Sequence, residues 1–142
     1  MKRLLAAAVA LSITGCVHTQ MLELTTPERE GLSAAMAHPL TFTVPKEQAG
    51  DAWGRAQSFV GRFSSMKLQT ATEFIIQTYN PVGSSVAYGY YVTRTPLGAD
   101  HQFEVQCVYG NMFSAQDANT NAHLAAHYIA TGQLPCQRCI SR

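Results

Sequence analysis

The chain has 142 residues, enough for one domain and too few for two independent cores. Hydrophobic residues make up 46% and charged residues 13%, which excludes a disordered acidic or basic tail. The formal charge is +1, and without Lys2 and Arg3 the balance is 8 basic to 9 acidic residues, so no basic stripe is available for a nucleic-acid partner.

The first fifteen residues read as an export signal. Lys2 and Arg3 form a positive start, and Leu4 to Ile13 follow as an apolar run. At about ten residues it suits a signal-peptide core and is too short to span a bilayer. Ile13-Thr14-Gly15-Cys16 then resembles the lipobox of bacterial lipoproteins. The resemblance implies lipid transfer to the Cys16 thiol, cleavage before it and acylation of the new amino group, leaving a membrane anchor. Several buried acyl chains, at roughly 0.8 kcal/mol per CH₂, hold such a protein permanently. Val17 stands where an aspartate would be an inner-membrane retention cue, so the class resemblance implies the outer membrane, facing the periplasm.

Residues 16–26 lack periodicity and read as a tether. Thr26-Pro27-Glu28 is a helix start, with a hydroxyl cap, a proline in the first turn and an acid near the positive end of the dipole. The helix runs from Pro27 to Ala37 and ends at His38-Pro39, because the residue before proline avoids the α region. Leu40 to Val44 reads as a strand. Ala49, Ala52, Trp53, Ala56, Phe59, Val60 and Phe63 recur at steps of three and four, giving one apolar stripe on a helix from about Lys46 to Phe63.

Met66 to Tyr79 reads as one long strand bent near Ala71-Thr72, and Asn80-Pro81-Val82-Gly83 as a turn. Val86, Tyr88, Tyr90 and Val92 alternate with Ala87, Gly89, Tyr91 and Thr93, a period of two. Pro96 to Asp100 makes a second turn. The next strand puts Phe103, Val105, Cys107 and Tyr109 on one face and Glu104, Gln106 and Val108 on the other. Ser114 to Asp117 opens a last helix as a capping-box variant, with Ala118, Ala122, Ala125 and Ile129 inward and Gly132 as its stop. The order α-β-α-β-β-β-α predicts a single α+β domain over residues 27–142. Its helices lie on one face of a three- to four-stranded antiparallel sheet. That order resembles double-stranded-RNA-binding domains, but the export signal and the lack of a lysine-rich helix end argue against that use. It is also broadly similar to small domains of envelope assembly lipoproteins, by element order alone.

With Cys16 committed to lipid, Cys107, Cys136 and Cys139 remain. In an oxidising periplasm that count allows one disulfide and one leftover thiol. The expected staple joins Cys107 to Cys136 or Cys139, closing a loop of about 30 residues for roughly 3.5 kcal/mol. Cys136-Gln137-Arg138-Cys139 follows a helix and a proline, not the strand-to-helix turn of a redox pair. His123 and His127 share one helix face, and with Cys136 and Cys139 they make a chemically competent tetrahedral metal set. Solvated histidines beside a disulfide are the plainer reading, so no cofactor is expected.

No serine-nucleophile elbow, phosphate loop or dinucleotide fingerprint occurs, so no catalytic residue is assigned and no enzyme is expected. Tyr91 and Val108 point away from the helix-covered side, and an uncovered face there would bind a protein or glycan. The expectation is a lipid-anchored, non-catalytic binding or accessory module for another envelope component. A metal-binding or thiol-active protein centred on His123, His127, Cys136 and Cys139 is one alternative. A periplasmic inhibitor or immunity protein is another.

Overall fold

The computed structural model describes residues 23–83, 86–111 and 114–141. The signal segment, Cys16 and most of the tether lie outside the described residues. Helix α1 spans Thr26–Ala37, one residue earlier than predicted, because Thr25 and not Thr26 is the cap. The Glu28 amide donates to Thr25 Oγ1 at 3.4 Å, and the Thr25 amide donates back to Glu28 Oε2 at 2.9 Å. This reciprocal pair satisfies two of the free donors at the helix start.

Strand β1 (Thr41–Pro45) leads through a 3₁₀ turn (Lys46–Gln48) into helix α2, Ala49–Phe63. All seven residues of the expected apolar stripe are buried on α2. Gly50 and Gly54 are exposed on its far side, where their cost to helix propensity is offset by packing on the opposite stripe.

The segment read as one bent strand is two. Strands β2 (Leu68–Ala71) and β3 (Ile75–Thr78) pair antiparallel. Thr72 makes the reversal: its amide donates to the Ile75 carbonyl at 2.8 Å. Its hydroxyl accepts from the amides of Phe74 and Ile75 at 3.1 and 3.0 Å. A side-chain hydroxyl bonding its own backbone turns the chain without glycine or proline, which is why composition showed only a bend.

Strands β4 (Tyr88–Leu97) and β5 (Asp100–Tyr109) are longer than expected. They pair from Tyr88–Tyr109 to Leu97–Asp100. Only Gly98 and Ala99 are left in the loop, with Gly98 at φ +63°, the glycine-first pattern of a two-residue hairpin. The sheet order is β1-β5-β4-β3-β2, all neighbours antiparallel.

Helix α3 (Ala115–Thr131) stops at Gly132, φ +78°, as expected. Its start differs from the capping box: Ser114 Oγ donates to Asn111 Oδ1 at 3.3 Å, and Asp117 accepts from the Tyr88 hydroxyl at 3.1 Å. Helices α2 and α3 pack together on the inner face of the sheet, and α1 packs on α3. Arg55 of α2 donates to the carbonyls of Ile129 and Ala130 at 2.8 and 3.3 Å. It therefore brings a cation to the negative end of α3. The core at this layer is aromatic: Phe59, Phe63, Tyr90 and Phe103 are at most 1% exposed, and Phe59 meets Tyr90 edge-on at 5.5 Å.

Candidate functional site

Strand alternation decides which side chains face away from the helices. From β3 to β1 the register sets Ile75, Thr93, Glu104 and Thr41 in one row. Gln77, Tyr91 and Gln106 form the next row, and Gly89 and Val108 a third. Among the described residues no helix covers these rows. Tyr91, Val108, Ile75 and Thr93 are half-buried by one another, and Gln106 donates to Glu104 Oε1 across two positions at 2.7 Å. A Cβ at Gly89 would meet Thr78 Oγ1 at 2.5 Å and Val108 Cγ2 at 3.0 Å, so this end of the face admits no larger residue. Glu73 lies in the β2–β3 turn, outside the paired rows.

The inward tyrosines follow the same alternation. Tyr88 and Tyr90 are buried, whereas Tyr109 at the end of β5 is 42% exposed. Cys107 lies inward on β5, and burial pushes its thiol up to about 12. The thiolate, the reactive form, is therefore disfavoured at neutral pH.

The expected staple from Cys107 to the tail is not formed. Cys136 and Cys139 are bonded to each other, and Cys107 is free. The 3₁₀ turn Gln137–Cys139 brings the two tail Cα atoms to 5.3 Å, within disulfide range. Asn121 meets Cys107 and also holds the tail, donating to the Ser141 carbonyl at 2.9 Å and accepting its amide at 3.0 Å. A side chain thus stands between that thiol and the tail. Nothing in the α3 periodicity marked Asn121, which is fully buried among alanines.

The four residues of the metal alternative do not assemble. The two cysteines are spent on their disulfide. His123 donates from Nδ1 to the His38 carbonyl at 2.9 Å, and His127 to the Gln133 carbonyl at 3.0 Å. These bonds fix the α1–β1 turn and the chain after α3. His38 joins them, its ring edge-on to His127 at 5.9 Å. Its pKa is lowered by burial, with the neighbouring His127 and His123 acting in the same direction. Among the described residues no group of three or more His, Cys, Asp or Glu side chains could hold a metal ion.

The tail also fastens α1. Arg138 Nε donates to Glu28 Oε1 at 2.8 Å and Nη2 to the Glu23 carbonyl at 3.1 Å. The Arg138 guanidinium holds the Glu28 carboxyl at about 2, with the Thr25 backbone and hydroxyl contributing. Pro135 lies against Gly31, where a Cβ would come within 2.3 Å of the proline ring.

One inward position breaks the apolar pattern. After Tyr88, Tyr90 and Val92, strand β4 turns Arg94 toward the helices, where its guanidinium sits 5.6 Å from the Trp53 ring. A cation at an inward position of a regular alternation is a signal the sequence already carried. No protein-family model matches the chain, and no curated protein or solved structure matches it.

Proposed function

We propose that this chain is a non-catalytic binding module, tethered to the bacterial envelope through a lipid on Cys16, that offers the outer face of its sheet to another envelope protein. One observation supports the reading. All three helices stack on one side, leaving Tyr91, Val108, Ile75 and Thr93 on a face that no described element covers. Half-buried apolar and aromatic side chains ringed by Glu104, Gln106 and Gln77 have the make-up of an interface centre with a polar rim. Seven residues lead from Cys16 to Glu23, a reach of at most about 25 Å, so the lipid would keep the module close to the bilayer.

Two measurements test this. The intact mass of membrane-extracted protein should begin at an acylated Cys16; a soluble chain with an unmodified cysteine removes the anchor. A photo-crosslinking residue at Tyr91 should capture one envelope protein in living cells, and the same residue at Gln57 on α2 should not. Val108→Glu, added to the Tyr91 crosslinking variant, should abolish that capture while shifting stability by no more than about 0.5 kcal/mol, as for other surface changes. Equal capture from both positions would defeat the open-face reading. An inhibitor of a periplasmic enzyme would use the same face, and the identity of the captured protein separates the two roles.

A further inference from the structure

The end of the sheet beneath the start of α2 holds an uncompensated cation. Arg94 lies opposite Phe103, and Pro96 opposite His101, so Arg94 and His101 are diagonal neighbours on the inner face. The Arg94 guanidinium is 5.6 Å from the Trp53 ring and 5.8 Å from the Phe74 ring, two cation–π contacts that fix its position. Its hydrogen bond from Nη1 to the Ala49 carbonyl is long, 3.5 Å. Among the described residues the ion pair is Arg138–Glu28, so Arg94 has no carboxylate partner there. Three buried polar atoms at this corner also lack partners: Arg94 Nε, Trp53 Nε1 and His101 Nδ1. Native interiors rarely leave such groups unmatched without a reason.

A cleft of about 350 Å³ opens beside this cation, lined by Phe74, Ile75, Thr93, Arg94, Thr95 and Pro96. Phe74 is 40% exposed and forms an apolar wall. The Arg94 amide already donates to the Phe74 carbonyl at 2.8 Å, and Pro96 has no amide hydrogen to offer. An added strand would therefore find no ladder here, and recognition must run through side chains. A guanidinium already immobilised by two rings loses little further freedom on binding. With Nε shut off from solvent and Nη1 making only a long bond to Ala49, the two terminal nitrogens are the planar fork left to match a pair of carboxylate oxygens.

We propose that this cleft binds a peptide carboxylate carried beside an apolar group, with the Arg94 fork on the oxygens and Phe74 and Pro96 against the apolar part. The cleft shares Ile75 and Thr93 with the open face. Its test uses neither Tyr91 nor Val108, so the two readings can fail separately.

Trp53 is the one tryptophan of the chain, and it touches Arg94, so its fluorescence and its indole N–H resonance report on the cleft. The mature protein would be titrated with N-acetylphenylalanine, with its amide, and with an N-acetylglutamate α-amide. Saturable changes with the acids, weakened by salt and absent with the amide, are expected. A stronger response to N-acetylphenylalanine assigns the site to a chain terminus, and a stronger response to the glutamate compound assigns it to an acidic side chain. Arg94→Lys keeps the charge and loses the fork, so binding should weaken roughly tenfold. Phe74→Ala, at a partly exposed position, should weaken binding with the fold intact and serves if the arginine variant does not fold. The proposal is overturned if the amide shifts the signals as the acids do. It is equally overturned if neither acid shifts them, or if a folded variant binds like the parent.

Discussion

The two faces of the sheet are made by the same strands and have opposite fates. On the inner face Phe42, Ile76, Tyr90, Val92, Phe103 and Val105 are closed over by α2 and α3. One residue along each strand, Thr43, Gln77, Tyr91, Thr93, Glu104 and Gln106 meet only their neighbours and solvent. Backbone geometry is the same for both sets, so the difference comes from what lies above them. The inner face spends its side chains on the fold, and the outer face leaves them available. Arg94 departs from this division as the inward residue that packing alone does not account for.

Substitutions should expose the contrast at different scales. Phe103→Ala removes a ring in contact with Phe42 and Trp53 and should cost about 3–5 kcal/mol in urea unfolding. Tyr91→Ala, one strand position from the buried Tyr90 and Val92, should cost under about 1 kcal/mol. Comparable losses would mean that the outer face is covered after all. Reducing the Cys136–Cys139 bond opens a four-residue loop and should cost roughly 2 kcal/mol in the chain-entropy model. Under those conditions Cys107 should resist alkylation until the protein unfolds.

Glycines offer a sharper version. Nothing lies within 4 Å of a Cβ at Gly54, whereas one at Gly31 would strike Pro135. Gly54→Ala should therefore stabilise the protein by up to about 1 kcal/mol. Gly31→Ala, the same helical exchange, should lower the melting temperature by dislodging the tail. The smallest effect concerns Glu28, whose carboxyl is depressed to about 2 from an ordinary value of 4.5. With the folded value below the unfolded one, its contribution is present above pH 4.5 and is lost as pH falls toward 2. Glu28→Gln should flatten stability across that window, and an unchanged acid limb would show that the Arg138 contact is not formed in solution.

What the sequence disclosed and what it hid divide along the same physical line. Regular periodicity was readable: the α2 stripe from Ala49 to Phe63, the outward placement of Tyr91 and Val108, and Gly132 as a helix stop all rest on spacing. Features made by a single polar side chain were not. Thr72 turned one expected strand into a hairpin with its hydroxyl, and Thr25 took the cap from Thr26. The cysteines show the limit of counting. Three thiols permitted a long-range staple, but three-residue spacing within a tight turn gave Cys136 a nearer partner. Asn121 depends on contacts across the chain that no local window contains, and for Arg94 the strand alternation shows the inward position but not the Trp53 and Phe74 rings it meets.

The clamp formed by Arg138 on Glu28 and the Glu23 carbonyl has a mechanical side. The segment that would lead to the bilayer and the far end of the domain meet at one pole. A pull arriving along the tether would load these few exposed bonds before anything in the sheet. Once they part, α1 can be peeled from α3 as a separate step, with α2 still seated on the strands. Were the chain anchored as proposed, this clamp would give way first, with the core and outer face behind it.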